Sequence, residues 1–153
     1  MNSSQEIRKT GTTTVGLVCK ECVILASDTK STLGYMVSSK DIEKIVQVDD
    51  KIALTTAGGV GDTQALIRIL KAEISLYKSM RNAEFTLRAT NTLLSNIMQG
   101  TRYYPYMAML ILGGYDREGG HIYSIDPMGG GEEASKFTAT GSGSPFAYGV
   151  LET

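Results

Sequence analysis

Short apolar runs rich in β-branched residues occupy the first third of the chain and alternate with polar turn segments. Such runs are typical of strands, because branched side chains pack well on a pleated surface. They predict five strands, at residues 12–18, 22–26, 34–37, 44–48 and 51–57.

The spacing of the apolar positions then becomes helical. Large apolar residues recur three and four positions apart from Leu66 to Met80, and Asp62 is placed to cap the N-terminus of that helix. A second helix is predicted from about residue 84 to residue 98, with Gly100 as its stop.

Strands return in the last third of the chain, at residues 106–112, 121–125 and 137–140, and Pro145 then suits the first turn of a third helix. Strands, two adjacent helices and strands again indicate segregated layers rather than alternating βαβ units. The sequence therefore predicts an α+β domain in which helices pack on antiparallel sheets.

Charge and composition exclude several functions. The 153 residues carry 15 Lys and Arg against 16 Asp and Glu, with no basic cluster of the kind that binds nucleic acid or a membrane surface. No apolar run approaches the ~20 residues of a membrane span. The polar N-terminus does not resemble a secretory signal, and two cysteines without such a signal favour a reducing, cytoplasmic location.

Histidine and cysteine chemistry is restricted in this chain. His121 is the one histidine and directly follows Gly119 and Gly120, a probable turn, so a catalytic triad would have to use it and a multi-histidine metal site is excluded. Cys19 and Cys22 form a C-x-x-C pair, but a zinc site needs a second pair and a thioredoxin motif precedes a helix. Ordinary strand cysteines are the favoured interpretation, and a redox or metal module is the alternative.

Three threonines follow Gly11, and a threonine run alone is typical of a strand. A second interpretation is a hidden nucleophile at Thr12. Cleavage after Gly11 would give that residue both a hydroxyl and an α-amine, whose reference pKa of about 7.7–8.0 suits a general base.

Asp28 follows one predicted strand, and Lys44 opens another. Each residue alone is typical of a solvated charge at a strand end. Together in a buried pocket they would act differently. A lysine ammonium beside a hydroxyl stabilises the developing alkoxide, and the aspartate keeps the lysine charged and oriented.

Residues 58–62, Gly-Gly-Val-Gly-Asp, link a predicted strand to a predicted helix. The segment fits a tight turn or an oxyanion hole, since glycine lets backbone N–H groups approach a reacting carbonyl. It fits a phosphate loop poorly, because the Lys-Ser/Thr of that motif is absent. Ser142, in a Gly-Ser-Gly-Ser run, belongs either to a plain loop or to a site.

In this order and spacing the motifs resemble proteasome β subunits, most closely the archaeal form. Those subunits are threonine peptidases with the N-terminal-nucleophile hydrolase fold. The resemblance covers the chain after its N-terminal tail and rests on residues 11–16, 26–28, 56–62, 93–96, 113–116 and 139–145.

The resemblance implies an αββα sandwich of antiparallel sheets flanked by helix layers. Residues 1–11 would be a propeptide removed by self-cleavage between Gly11 and Thr12, and residues 12–153 the hydrolase domain. In the family a further strand and helix carry an Asp and a Ser that brace the nucleophile. This chain is expected to lack them, with one helix layer truncated and with weaker assembly and activity.

The resemblance also implies the site residues. Thr12 would be the nucleophile, with Lys44 and Asp28 as its charged partners. The Gly58 N–H would form the oxyanion hole, and Ser142 would assist.

A substrate-binding cleft is implied as well. The backbones of Thr32 and Val60 would hold a substrate strand in extended form. The side chain before the scissile bond would enter a pocket of mixed polarity, which predicts no sharp specificity. Its lining would be Ser31, Ile42, Val46, Thr56, Val60 and Gln64.

The implied function is a threonine endopeptidase that cleaves unfolded proteins through an acyl-enzyme, without a cofactor or metal. Its partners would be other β subunits in a heptameric ring and rings of α subunits, rather than nucleic acid or membrane. The alternative is a non-catalytic assembly form of the same subunit, left unprocessed.

Overall fold

The computed structural model describes residues 11–33 and 36–153. Within these ranges the chain forms ten strands and three helices. In chain order they are β1 (Thr14–Val18), β2 (Val23–Ser27), β3 (Ser31–Leu33), β4 (Met36–Ser39), β5 (Ile45–Asp49), β6 (Ile52–Gly58), α1 (Val60–Arg81), α2 (Leu87–Gly100), β7 (Ala108–Asp116), β8 (Gly119–Ile125), β9 (Gly131–Ala134), β10 (Phe137–Thr140) and α3 (Ser144–Leu151).

The strands form antiparallel sheets stacked between helices. One sheet has the order β5-β6-β7-β8-β9, a second has the order β10-β1-β2, and β3 and β4 pair separately. Helices α1 and α2 pack on the five-stranded sheet, whose other face meets β1 and β2, and α3 packs against β10. The order helix, sheet, sheet, helix agrees with the αββα sandwich, so the predicted α+β class is confirmed.

Strand β7 is apolar on both faces because it lies between two layers. Leu110 and Leu112 are buried in the core that the five-stranded sheet forms with α1 and α2. Ile111 and Gly113, on the opposite face, meet residues of β1 and β2. Full burial of a leucine or isoleucine contributes about 1.5–3 kcal/mol, and this strand therefore anchors both layers.

Two short strands were not predicted, because their sequences lack an apolar run. Ser31–Leu33 pairs with Met36–Ser39, and Gly131–Ala134 adds a polar edge strand to the large sheet. Polar composition is common on edge strands, where one side faces water. The strand predicted at residues 34–37 is placed at Met36–Ser39 instead, and its residues 34 and 35 lie outside the described residues.

Both long helices begin at residues other than those predicted. Helix α1 begins at Val60 with Gly59 as its N-cap, so the prediction of Asp62 as the cap is wrong. Helix α2 begins at Leu87, where the Thr86 hydroxyl caps it, and includes Gly100 rather than stopping before it.

The cysteine pair lies elsewhere than expected, whereas His121 does not. His121 belongs to strand β8, opposite Gly114, in agreement with the strand predicted at residues 121–125. Cys19 and Cys22 are exposed in the turn between β1 and β2, rather than within strands. No helix in residues 11–33 and 36–153 has the length and apolarity needed to cross a membrane.

Candidate active site

Thr12 lies two residues before β1, which is the middle strand of its sheet. Its carbonyl oxygen accepts a hydrogen bond from the Gly143 N–H at 3.2 Å. On the other side the Thr13 carbonyl accepts from the Asp28 N–H at 3.1 Å. Backbone contacts from both neighbouring segments therefore fix the position of Thr12.

The Lys44 ammonium lies against the Thr12 hydroxyl. The lysine side chain is 6% exposed, and its Nζ lies 3.2 Å from Thr12 Oγ1. The same nitrogen donates to Asp28 Oδ1 at 2.9 Å and to the Lys30 carbonyl at 2.7 Å, and the Gly11 carbonyl lies 3.5 Å away. A buried charge is stable only when it is paired and hydrogen-bonded. Here the carboxylate, hydroxyl and carbonyl oxygens around Nζ provide those partners.

Asp28 is the counter-ion of this lysine. Partial burial raises the pKa of Asp28, but the Thr13 N–H bond at 2.8 Å and the Lys44 ammonium outweigh that effect. The net result is a pKa below the ordinary value of 3.8. Asp28 is therefore a carboxylate at neutral pH and keeps a negative charge beside Lys44.

Ser142 lies on the other side of Thr12. The Thr12 N–H donates to Ser142 Oγ at 3.2 Å, and the same hydroxyl lies 3.4 Å from the Thr12 carbonyl. Gly141 makes this approach possible, because it has φ +90° and a Cβ there would lie 2.2 Å from that carbonyl. The loop after β10 thus wraps around the start of β1.

Gly58 ends β6 beside the same site. Its φ is +120°, and a Cβ would lie 2.2 Å from the Met107 carbonyl, so a side chain is excluded. The Thr56 N–H points toward Lys44, whose carbonyl it meets at 2.8 Å. N–H groups alternate between the two edges of a strand, which directs the Gly58 N–H to the same edge as that of Thr56, and Gly58 lines the same cavity as Thr12.

A cavity of about 60 Å³ adjoins these groups. Of the residues predicted for substrate binding, four line it together with Thr12, Lys44 and Gly58. The full lining is Gly11, Thr12, Ser31, Ile42, Lys44, Thr56, Gly58, Val60 and Thr63.

The other three predicted binding residues lie outside this lining. Gln64 is exposed on α1, and Val46 is a half-buried residue of β5. Thr32 makes a different contact, since its Oγ1 accepts a hydrogen bond from the Gly11 N–H at 2.7 Å. That bond holds the residue before Thr12.

Sequence reasoning missed three groups of the site. The Lys30 and Met107 carbonyls belong to the backbone, so their residue types carry no signal. Thr63 lies one turn of α1 beyond Gly59. A prediction that α1 begins at Val60 would have placed Thr63 close to Gly59 and therefore near the site.

A larger cavity, about 440 Å³, lies elsewhere between β2 and the β5–β6 hairpin. Its lining includes the charged residues Glu43, Asp50 and Lys51 but contains no Ser, Thr, Cys or His. It therefore offers no hydroxyl, thiol or imidazole nucleophile, and the chemistry favours the smaller cavity at Thr12.

One group of possible metal ligands lies apart from Thr12. Ligand atoms of Asp116, Glu118 and His121 lie within 4.8 Å of one another. The two Asp116 oxygens, however, accept hydrogen bonds from the Leu87 and Glu118 N–H groups, and His121 Nδ1 lies 2.7 Å from Glu133. These contacts join the β7–β8 hairpin to α2 and β9.

The arrangement around Thr12 suits acyl transfer. It brings together a hydroxyl, a buried ammonium, a carboxylate and a backbone N–H, which are the groups that a nucleophile and a developing oxyanion require. Within the described residues, the lining of the cavity at Thr12 contains no carboxylate, histidine or cysteine, and Asp28 is connected to the site through Lys44.

The chain is similar to known proteins of one family. The profile of the family described as "Proteasome subunit" matches residues 8–153. A relative named proteasome subunit beta from Methanosarcina mazei is 51% identical over 142 residues, covering 93% of this chain and 68% of the relative.

Two further relatives carry the same name. The one from Methanoculleus marisnigri is 51% identical over 99% of this chain and 71% of its own length. The one from Methanocaldococcus fervens is 53% identical over 93% of this chain and 64% of its own length. The chain thus spans about two thirds of these relatives and, as the motifs predict, belongs to the proteasome subunit family.

Proposed function

We propose that this chain is a catalytic β subunit of the proteasome core particle, with Thr12 as the nucleophile of a threonine endopeptidase. The observation that carries the proposal is the buried Lys44 ammonium, 3.2 Å from Thr12 Oγ1 and 2.9 Å from Asp28 Oδ1. A fixed positive charge there would stabilise the Thr12 oxygen as it loses its proton.

The first proposed step is self-cleavage. The Thr12 hydroxyl attacks the Gly11 carbonyl carbon, whose oxygen lies 3.5 Å from Lys44 Nζ. The Gly11–Thr12 C–N bond breaks, the Thr12 nitrogen takes up the hydroxyl proton, and an ester forms. Water then hydrolyses the ester, which releases residues 1–11 and leaves Thr12 with a free hydroxyl and a free α-amine.

The second step is turnover of a peptide. The freed α-amine accepts the hydroxyl proton as the oxygen attacks the substrate carbonyl carbon. The Gly58 N–H stabilises the resulting oxyanion, and the amine of the departing peptide takes the proton as the C–N bond breaks. A water molecule, deprotonated by the same α-amine, hydrolyses the acyl-enzyme.

The proposed setting is a cytoplasmic particle of stacked rings. Other β subunits would complete a heptameric ring, and rings of α subunits would cover it. Confinement in that chamber, rather than a tight pocket, would restrict cleavage to unfolded polypeptides. The family assignment and the mixed polarity of the small cavity support this part of the proposal.

The test is Thr12→Ala, with Thr12→Ser and Thr92→Ala beside it in the assembled complex. We expect Thr12→Ala to abolish hydrolysis of a fluorogenic peptide and removal of residues 1–11, and Thr12→Ser to keep part of both. Thr92 is exposed on α2, so its alanine variant should match the parent. Mass spectrometry of the parent should show a species that begins at Thr12.

Hydrolysis by Thr12→Ala at a substantial fraction of the parent rate would overturn the proposal. A parent that assembles but shows neither cleavage at Gly11 nor hydrolysis would instead support a non-catalytic assembly role.

A further inference from the structure

We propose that Asp62 is a positioning residue for this reaction, holding the Gly58 N–H in place through the backbone of Met107. The inference rests on the proposed function and adds a group that neither touches the substrate nor lines the cavity. It gives the carboxylate in the first turn of α1 a role other than capping that helix.

Two hydrogen bonds connect Asp62 to the glycine turn. Asp62 Oδ2 accepts from the Met107 N–H at 2.8 Å. The Met107 carbonyl accepts from the Gly59 N–H at 2.7 Å. Since α1 follows Gly59 directly, these bonds close a loop of contacts from α1 to the start of β7 and back to the turn.

Gly58 lies against the same carbonyl. A Cβ at Gly58 would be 2.2 Å from Met107 O and 3.2 Å from Ala108 Cα, so the backbone there packs directly on the backbone of Met107. A shift of Met107 would therefore change the orientation of the Gly58 peptide. That orientation sets the direction of the N–H proposed to face the oxyanion.

The segment before Met107 is exposed and needs such an anchor. Tyr103 is 82% exposed, Tyr104 is 91% exposed, and the Met107 side chain itself is 64% exposed. Burial of these three side chains therefore contributes little to the position of this loop, although Tyr106 packs partly against the core. A hydrogen bond that a carboxylate accepts is stronger than one between neutral groups, and the bond from the Met107 N–H to Asp62 ties the loop to α1 beside the site.

The described contacts of Asp62 also argue against a helix-capping role. The N-cap of α1 is Gly59 and makes no side-chain hydrogen bond. The side-chain bond of Asp62 instead goes to Met107, which is 45 residues away in the sequence. Its carboxylate thus connects two elements that flank Gly58.

The test compares Asp62→Ala with Asp62→Asn, and with Glu73→Ala as an exposed acidic control on the same helix. Removing an oxyanion donor typically costs ~10²–10³ in kcat, and displacing one should cost about tenfold or more. We expect Asp62→Ala to lower kcat in this way with little change in KM. Asp62→Asn keeps an oxygen acceptor and should stay within about threefold of the parent, and Glu73→Ala should match it.

A pair of inhibitors separates positioning from general damage. A peptide aldehyde forms a hemiacetal with Thr12 whose oxygen occupies the oxyanion position, whereas the corresponding peptide alcohol binds without forming one. We expect Asp62→Ala to weaken the aldehyde in parallel with kcat/KM and to leave alcohol binding unchanged. Hydrogen exchange should also be faster at the Gly59 amide in this variant.

An active parent with an equally active Asp62→Ala, or equal weakening of aldehyde and alcohol, would overturn this inference and leave the proposed function intact. Loss of activity in Asp62→Asn as severe as in Asp62→Ala would also overturn it. A parent whose activity does not depend on Thr12 would overturn the proposed function, and this inference with it.

Discussion

Two lysine–aspartate pairs of nearly equal length have different surroundings. Lys44 Nζ lies 2.9 Å from Asp28 Oδ1, and Lys78 Nζ lies 2.7 Å from Asp49 Oδ1. The Lys44 side chain is 6% exposed, whereas that of Lys78 is 34% exposed and lies near the end of α1. The two lysines therefore differ in burial and in neighbours rather than in the length of their ion pairs, whereas the Asp28 side chain (38% exposed) is more exposed than that of Asp49 (16%).

The neighbours determine what each pair can do. Lys44 also meets a hydroxyl and a backbone carbonyl, so its charge acts on a potential nucleophile. Lys78 meets a second carboxylate, Asp50, at 3.7 Å and links α1 to the β5–β6 turn. An ion pair by itself is thus weak evidence of a site, and a buried ammonium next to a hydroxyl is stronger evidence.

The largest effect should come from removing the buried ammonium. Lys44→Ala, in a protein supplied with a free Thr12, should lose on the order of 10²–10³ in kcat. Lys44→Arg should also fail, since a planar guanidinium does not replace a compact ammonium. The measurement is hydrolysis of a fluorogenic peptide by the assembled complex.

Lys78→Ala is the matched control for this experiment, since it removes the same group from the surface pair. It should retain parental turnover. Near-normal turnover by either Lys44 variant would contradict the catalytic role and support the interpretation of Lys44 as an ordinary strand-end charge.

Asp28→Asn should lower turnover less than Lys44→Ala does. Its effect on stability should depend on pH. The pKa of Asp28 is lowered in the folded state, so its ionised form stabilises the fold above pH 3.8. That contribution is lost as the pH falls through the lowered pKa. The unfolding midpoint of Asp28→Asn should therefore lie below that of the parent at neutral pH and approach it in acid.

Thermal unfolding from pH 2 to pH 7 checks the stability part of this prediction. Turnover of Asp28→Asn at neutral pH is compared with that of Asp49→Asn, the matched control in the other pair. A constant difference between parent and Asp28→Asn across this range would contradict it.

The smallest effect should come from Lys78→Met. The hydrogen bond that Lys78 donates to Asp49 raises the pKa of Lys78 above 10.5, with Asp50 adding to it. The contribution of Lys78 to stability is present below that pH and is lost as the pH rises through the raised pKa. The unfolding midpoint should fall slightly at pH 8, and less at about 1 M salt, where surface charges are screened.

Repeating the scan near pH 12 completes the test of Lys78. A deficit that persists there undiminished would indicate lost packing of the lysine stem rather than a lost ion pair.

The sequence predicted the layers of the fold better than the boundaries of its elements. Long apolar patterns, such as that of β7, persist in the structure because packing on both faces requires them. Polar strands such as Gly131–Ala134 have no such pattern. Because glycines precede Asp62, the sequence does not show that α1 begins at Val60, and it predicts Asp62 as the N-cap instead.

The sequence suggested the side chains around Thr12 and, from the glycines of residues 58–62, a backbone N–H, but it did not suggest the backbone carbonyls. Thr12, Asp28 and Lys44 have residue types that suggest chemistry, and the structure brings them within hydrogen-bond distance. The carbonyls of Lys30 and Met107 make equally short contacts there. Their positions follow from tertiary packing, which the amino-acid type at those positions does not specify.

The pairing of the first strand with the last has a consequence for the timing of synthesis. Strand β1 lies between β2 and β10, and Thr12 contacts Ser142, which is 130 residues later in the chain. Contacts so distant in sequence form late, because a long loop must close first. On a ribosome the N-terminal residues emerge first, yet the surroundings of Thr12 stay incomplete until residues 137–143 have followed. A nascent chain would therefore carry Thr12 without its contacts to Gly143 and Ser142, and under the proposed function it would be unable to cut itself or its neighbours prematurely.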